Sequence, residues 1–149
     1  MGGPIAWQSE LQVVVATSSL ESEYMAMYAG IQELLWVRGL IRELTLFEAL
    51  VDGPTPFLVD NKSAIDLANN PVYHKRSKHI DIKYHWLRQH VAREELNTVR
   101  LHHCTTLEMV ADLFTKSLSG ALLLKHSETV AGKRKRPLNQ VLYLKKKRE

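Results

Sequence analysis

The stretch that most constrains the fold is PFLVDNKSAIDLANN, residues 56–70. Phe57, Leu58 and Val59 form a short apolar run of β character, Asp60 follows directly, and from Ser63 the apolar positions recur at helical spacing. The order reads as strand, acid, helix. In a sheet covered by helices, the exit of a buried strand is where a side chain leaves the core while its backbone stays rigid, which suits a carboxylate holding a metal. The plainer reading is that Asp60 and Asn61 make a turn and helix N-cap, since both residue types do that well. Local sequence leaves both open.

Ser18-Ser19-Leu20-Glu21 matches the S-x-x-E capping box, so a helix starts there. Leu20, Tyr24, Met27, Ile31, Leu34 and Ile41 fall on one stripe, which carries the helix to about Leu44. Glu23 sits in its first turn, at the edge of the buried face and at the positive end of the helix dipole. A favourable first-turn acid and a functional carboxylate look alike at this position. Upstream, residues 5–7 and 11–17 (LQVVVAT) read as strand segments.

Past the Asn69-Asn70-Pro71 stop lies the basic block His74-Lys75-Arg76-Ser77-Lys78-His79. A second long helix follows, with Ile80, Tyr84, Leu87 and Val91 in register. Such a block suits phosphate contacts, and it equally suits a solvated loop. Residues 97–103 alternate as a strand. Thr105 to Glu108 can then cap a helix that turns Met109, Val110, Leu113 and Phe114 inward and presents Asp112. His102 and His103, adjacent in a strand, point to opposite faces and are assigned no metal.

Charge is unevenly placed. Residues 133–149 hold eight of the 20 Lys and Arg and one of the 16 acids, so residues 1–132 carry 12 basic and 15 acidic groups, a net of −3. The sequence pI of about 9.2 therefore belongs to the tail, and does not make the body a nucleic-acid binder. The expected division is a domain over 1–120 and a basic, disordered tail over 121–149, in which Ala121 to Leu124 make at most a short capping segment. The tail also has the composition of a nuclear-import signal. The lone Cys104 has no disulfide partner. With no long apolar run and no leader pattern, the expectation is a soluble intracellular chain, cytoplasmic or nuclear, with no membrane partner.

Three motifs in order, SSLESEYMAM, FLVDNKSAIDLANNPVYHKRSKHIDIKYHWLR and VADLFTK, closely resemble the ribonuclease H domain of copia-type retrotransposon Pol polyproteins, over about residues 2–118. The resemblance implies an α/β, ribonuclease H-like fold, a mixed sheet flanked by helices. It implies hydrolysis of the RNA strand of RNA–DNA hybrids with two Mg²⁺ ions, Mn²⁺ being an alternative. Position by position it places the catalytic and metal-binding carboxylates on Glu23, Asp60 and Asp112, and substrate contacts on Asn61, Lys75, Arg76, Lys78 and His79. The family's fourth acid lies on its first strand, whereas the present sequence starts at the Gly-Gly-x-Ile turn that follows the second. The expectation is thus a truncated domain lacking those two strands, with weak metal binding, impaired cleavage, and apolar faces of the Leu20 and Ile80 helices partly uncovered. An upstream polyprotein segment would supply the missing strands. The alternative is a non-catalytic nucleic-acid or protein interaction module using the scaffold and the tail.

Overall fold

A computed structural model describes residues 4–10, 12, 15, 16, 18–44, 51–70, 78–91 and 98–133, with the side chains of 78–81 excepted. The strand–acid–helix reading holds. Strand β1 (Thr55–Val59) ends at Asp60, and helix α2 (Lys62–Asn69) begins two residues later, with the Asn61 carboxamide oxygen accepting from the Ala64 amide at 3.2 Å. Helix α1 (Ser19–Glu43) starts where the capping box places it, and the Ser18 hydroxyl accepts from the Glu21 amide at 3.2 Å. Helix α3 (Lys78–Val91) leads into β2 (Val99–His103), a 3₁₀ turn follows at Val110–Phe114, and helix α4 spans Gly120–Val130.

β1 and β2 pair in parallel, Thr55 opposite Val99 and Val59 opposite His103, with α2 and α3 making the crossover. Alternation along β1 divides its side chains. Phe57 and Val59 enter the main core with Tyr24, Met27, Ile31 and Leu34 of α1, Ala64, Ile65 and Ala68 of α2, Leu87 and Val91 of α3, and Val99. Leu58 packs instead against a smaller cluster of Cys104, Met109 and Ala111. The strand is thus covered on both faces, which is why PFLV reads as a continuous apolar run.

Three expectations need correction. The expected mixed sheet appears among the described residues as a parallel pair only, and residues 5–7 form no strand; nor do Gln12, Val15 and Ala16, the rest of 11–17 lying outside the described residues. A strand exists only where a neighbour completes its ladder, and this segment is tied by side chains instead. Trp7 stacks on Phe114 at 5.6 Å, the Ser9 hydroxyl donates to the Phe114 carbonyl, and the Gln12 amide donates to the Ser22 carbonyl. The expected helix after Thr105 is a turn followed by five residues of 3₁₀ helix, because the Thr105 hydroxyl donates to the Glu108 carboxylate instead of capping a backbone amide and Met109 is drawn into the Leu58 cluster. Ordered structure continues past residue 120, since α4 packs on the 3₁₀ turn and buries His126; of the basic tail, residues 134–149 lie outside the described residues. The expected partly uncovered apolar faces are present, with Trp36 and Leu40 of α1 and Ile82 of α3 exposed, while Leu20 is half-buried against the core; the Ile80 side chain lies outside the described set.

The leading end of β1 is locked by Arg38. This arginine falls on the buried stripe of α1 and is 5% exposed. Its guanidinium donates to the carbonyls of Val51 (2.7 Å) and Gly53 (2.9 Å) and to the Thr55 hydroxyl. Burial, and then the nearby Arg42 charge, lower its pKa from the ordinary value. The Thr55 amide donates to the Thr98 carbonyl, and the Thr98 amide to the His90 carbonyl, so α1, β1, β2 and α3 are joined at this end by one hydrogen-bonded chain.

Candidate carboxylate site

The trailing end of β1 gathers the acids. Asp60, the first residue beyond the strand, has a side chain 13% exposed. Asp112 lies in the 3₁₀ turn and is fully buried. The Lys116 amide donates to the Asp112 carbonyl at 2.9 Å, closing a turn that folds the Lys116 side chain back over the aspartate. Its ammonium lies 2.9 Å from Asp112 Oδ2 and 3.9 Å from Asp60 Oδ2. One cation therefore sits against two carboxylates that are 52 residues apart in the chain.

Glu23 is buried near the start of α1, just past its first turn, whose acid is Glu21. It lines, with Ala26, Met27, Phe57, Leu58, Val59, Met109 and Asp60, a shallow groove between α1 and β1. The three carboxylates named by the sequence motifs thus gather around the end of one strand, two sharing an ammonium and two sharing a groove. Among the described residues, however, no three His, Cys, Asp or Glu side chains are arranged to hold a metal ion. Carboxylate oxygens are the right donors for Mg²⁺, but an ammonium already lies against Asp60 and Asp112. As arranged, the site does not fit two ions.

The substrate-contact candidates are less localised. The side-chain oxygen of Asn61 is engaged in capping α2. Lys78 and His79 open α3, their side chains lying outside the described set, and Lys75 and Arg76 lie outside the described residues altogether. Farther along α3, the Tyr84 ring packs tilted against Tyr24 with centroids 4.0 Å apart, and burial together with Tyr84 raises the Tyr24 hydroxyl pKa well above its ordinary value. This pair belongs to the core.

Sequence reasoning passed over Lys116. The signal was present, since an acid and a lysine four residues apart, as in ADLFTK, meet on one face of a helical turn.

The comparisons agree with the motifs at the level of the polyprotein. Over 117 residues, 77% of this chain, the sequence is 41% identical to the retrovirus-related Pol polyprotein from transposon TNT 1-94 of Nicotiana tabacum. Over 116 residues, 78% of the chain, it is 37% identical to those from transposons RE2 and RE1 of Arabidopsis thaliana. The chain spans 8% of the length of each of these relatives. No family model and no solved structure matches it.

Proposed function

We propose that residues 2–118 are a ribonuclease H-like segment of a copia-type retrotransposon polyprotein, descended from an enzyme that hydrolyses the RNA strand of RNA–DNA hybrids. The observation that carries this reading is the convergence of Asp60 and Asp112 on one cation at the exit of β1, with Glu23 lining the adjoining groove. A rigid strand end and a buried turn hold oxygen donors in place without further ordering cost, as a hydrolytic site requires. The relatives support the retrotransposon polyprotein part of this reading through the length and identity of the match.

In this reading Mg²⁺, or Mn²⁺ in its place, is the cofactor of the complete site, and Glu23, Asp60 and Asp112 are three of its ligands. In this reading a segment of the longer polyprotein supplies the family's fourth acid and completes the sheet, and residues 1–149 by themselves bind metal weakly and cut poorly. The nucleic-acid partner is the hybrid. No described helix is long and apolar enough to cross a membrane, and the basic tail suits nuclear import.

A second reading, a non-catalytic interaction module, is favoured by one observation: the ammonium of Lys116 already lies against both Asp60 and Asp112. A labelled RNA–DNA hybrid separates the two. Slow cleavage in Mg²⁺ or Mn²⁺, reduced at least about 100-fold by Asp60→Asn, is expected for the nuclease. Salt-sensitive binding without cleavage, lost on removal of residues 133–149, would replace that reading with the module.

A further inference from the structure

We infer that the apolar stripe on the outer face of α1 is the docking surface for this chain's own basic tail, residues 133–148, held in cis between two glutamates. The inference uses neither a metal ion nor the nuclease reading.

Helical spacing lays down the stripe. Trp36 and Leu40, with Leu44 at the C-cap, recur every four residues and so stand in one line, yet they are 62%, 40% and 53% exposed. A single exposed apolar side chain is ordinary, but a row that includes a tryptophan marks a surface that takes a partner. Nothing lies within 4 Å of where a side chain at Gly39 would begin, so this side of the helix is open. Glu33 precedes Trp36 by three residues and Glu43 follows Leu40 by three, which sets a carboxylate near either end of the row, about 15 Å apart. Neither is in an ion pair among the described residues. Arg42, four residues after Arg38, lies on that arginine's side of the helix instead.

The tail complements this surface in its sequence. Residues 133–136 (KRKR) and 145–148 (KKKR) are basic, and PLNQVLYL between them carries Leu138, Val141, Leu142, Tyr143 and Leu144. An apolar centre flanked by cations matches an apolar centre flanked by anions, and the tail's eight basic groups and one acid face a body of net charge −3. A second copy of the chain is a worse occupant, because two such stripes packed together set glutamates against glutamates whichever way the helices run. Reach is sufficient. Val141 is eight residues beyond Lys133 and can lie up to about 27 Å from it, against a radius of gyration of about 14 Å for a body of this size. So short a tether gives the tail a high effective concentration at the stripe, and a weak contact is enough to hold it there.

The test is limited trypsin digestion of the full chain, with release of the tail after residues 133–136 followed by mass spectrometry. Cleavage of a segment that docks and undocks rapidly tracks its undocked fraction. Glu33→Gln combined with Glu43→Gln adds no trypsin site and is expected to speed release about fivefold, the size that two solvent-exposed ionic contacts supply. Trp36→Ser keeps both charges and is expected to speed it by a similar factor, through lost apolar contact. In about 0.5 M NaCl the wild type and the glutamine variant are expected to converge. Glu10→Gln, a charge lost at another exposed position, is expected to change nothing. Equal rates in all four proteins would overturn the inference. So would a response to the glutamates without one to Trp36, which reduces the contact to unlocalised attraction. Protection that grows with protein concentration would put the tail of a second copy on the stripe and overturn docking in cis. Cleavage within residues 1–132 reports folding: it is expected to keep its wild-type rate in every variant, and tail release that quickens only together with it would count against the inference.

Discussion

At its leading end β1 meets the Arg38 guanidinium, nearly buried and bonded to three neutral oxygens, whereas at its trailing end it meets the Lys116 ammonium, partly in water and set against two carboxylates. Both cations tie loops to the same strand, yet only the first is enclosed. A planar guanidinium fills its acceptors in a fixed fork and has nowhere to go, whereas an ammonium on a flexible stem is held mainly by charge and can be exchanged for another charge. The leading end of the strand is thus scaffold, and the trailing end is the one open to solvent.

The strongest way to break this contrast is Arg38→Ala. It strands the Val51 and Gly53 carbonyls and detaches the linker from α1, with an expected loss of about 3 kcal/mol in urea unfolding. A loss below about 1 kcal/mol would mean that the leading end is no better fixed than the trailing one.

Next in size is Lys116→Met in metal-free buffer, expected to cost about 1 kcal/mol because the ammonium is substantially solvated and its attraction to the aspartates is screened. Adding NaCl to the wild type should erode the same contribution, while the Arg38 effect, resting on neutral acceptors, should not depend on salt.

The smallest effect tests the leading-end network through pH. His90 packs on Trp86 at 4.5 Å, and its Nδ1 shares a hydrogen bond with the Thr98 hydroxyl at 3.1 Å. Burial lowers its pKa from the ordinary value of 6.5, so the folded state prefers the neutral ring. A depressed histidine contributes its stability fully above the unfolded pKa, and that contribution is lost as pH falls below about 6.5 toward the folded value. Urea midpoints at pH 7.5 and 5.5 should differ more in the wild type than in His90→Gln. Identical differences would remove His90 from the network.

Much of this was legible along the chain. The cap at Ser18, the extent of α1, the strand before Asp60, the cap at Asn61 and the stripe of α3 all follow from local rules, because each rests on spacing within one element. The residues of the site were nameable as well, through motif resemblance, although resemblance does not say how they meet. Less legible were the segments whose form depends on a distant neighbour. Residues 5–7 have strand-like letters but are tied by Trp7 and Ser9 to Phe114 rather than to a ladder. Met109 and Asp112 have helix-like spacing but sit in a turn shaped by the pocket around Leu58. Arg38 had a signal of its own, a charge on an apolar stripe, which only becomes meaningful once the carbonyls of the 51–55 linker are seen beside it.

Local spacing was enough to place α1, α2 and α3, the caps at Ser18 and Asn61 and the position of Asp60 at the end of a strand, since periodicity and capping act over a few residues and need no partner. Only the tertiary structure decided that β1 and β2 run parallel, that Asp60 and Asp112 come together, and that Lys116 lies against both. The physical reason is range: hydrogen bonds within a turn are set by neighbours in the chain, whereas two like charges come close only where the packed fold places a cation against them.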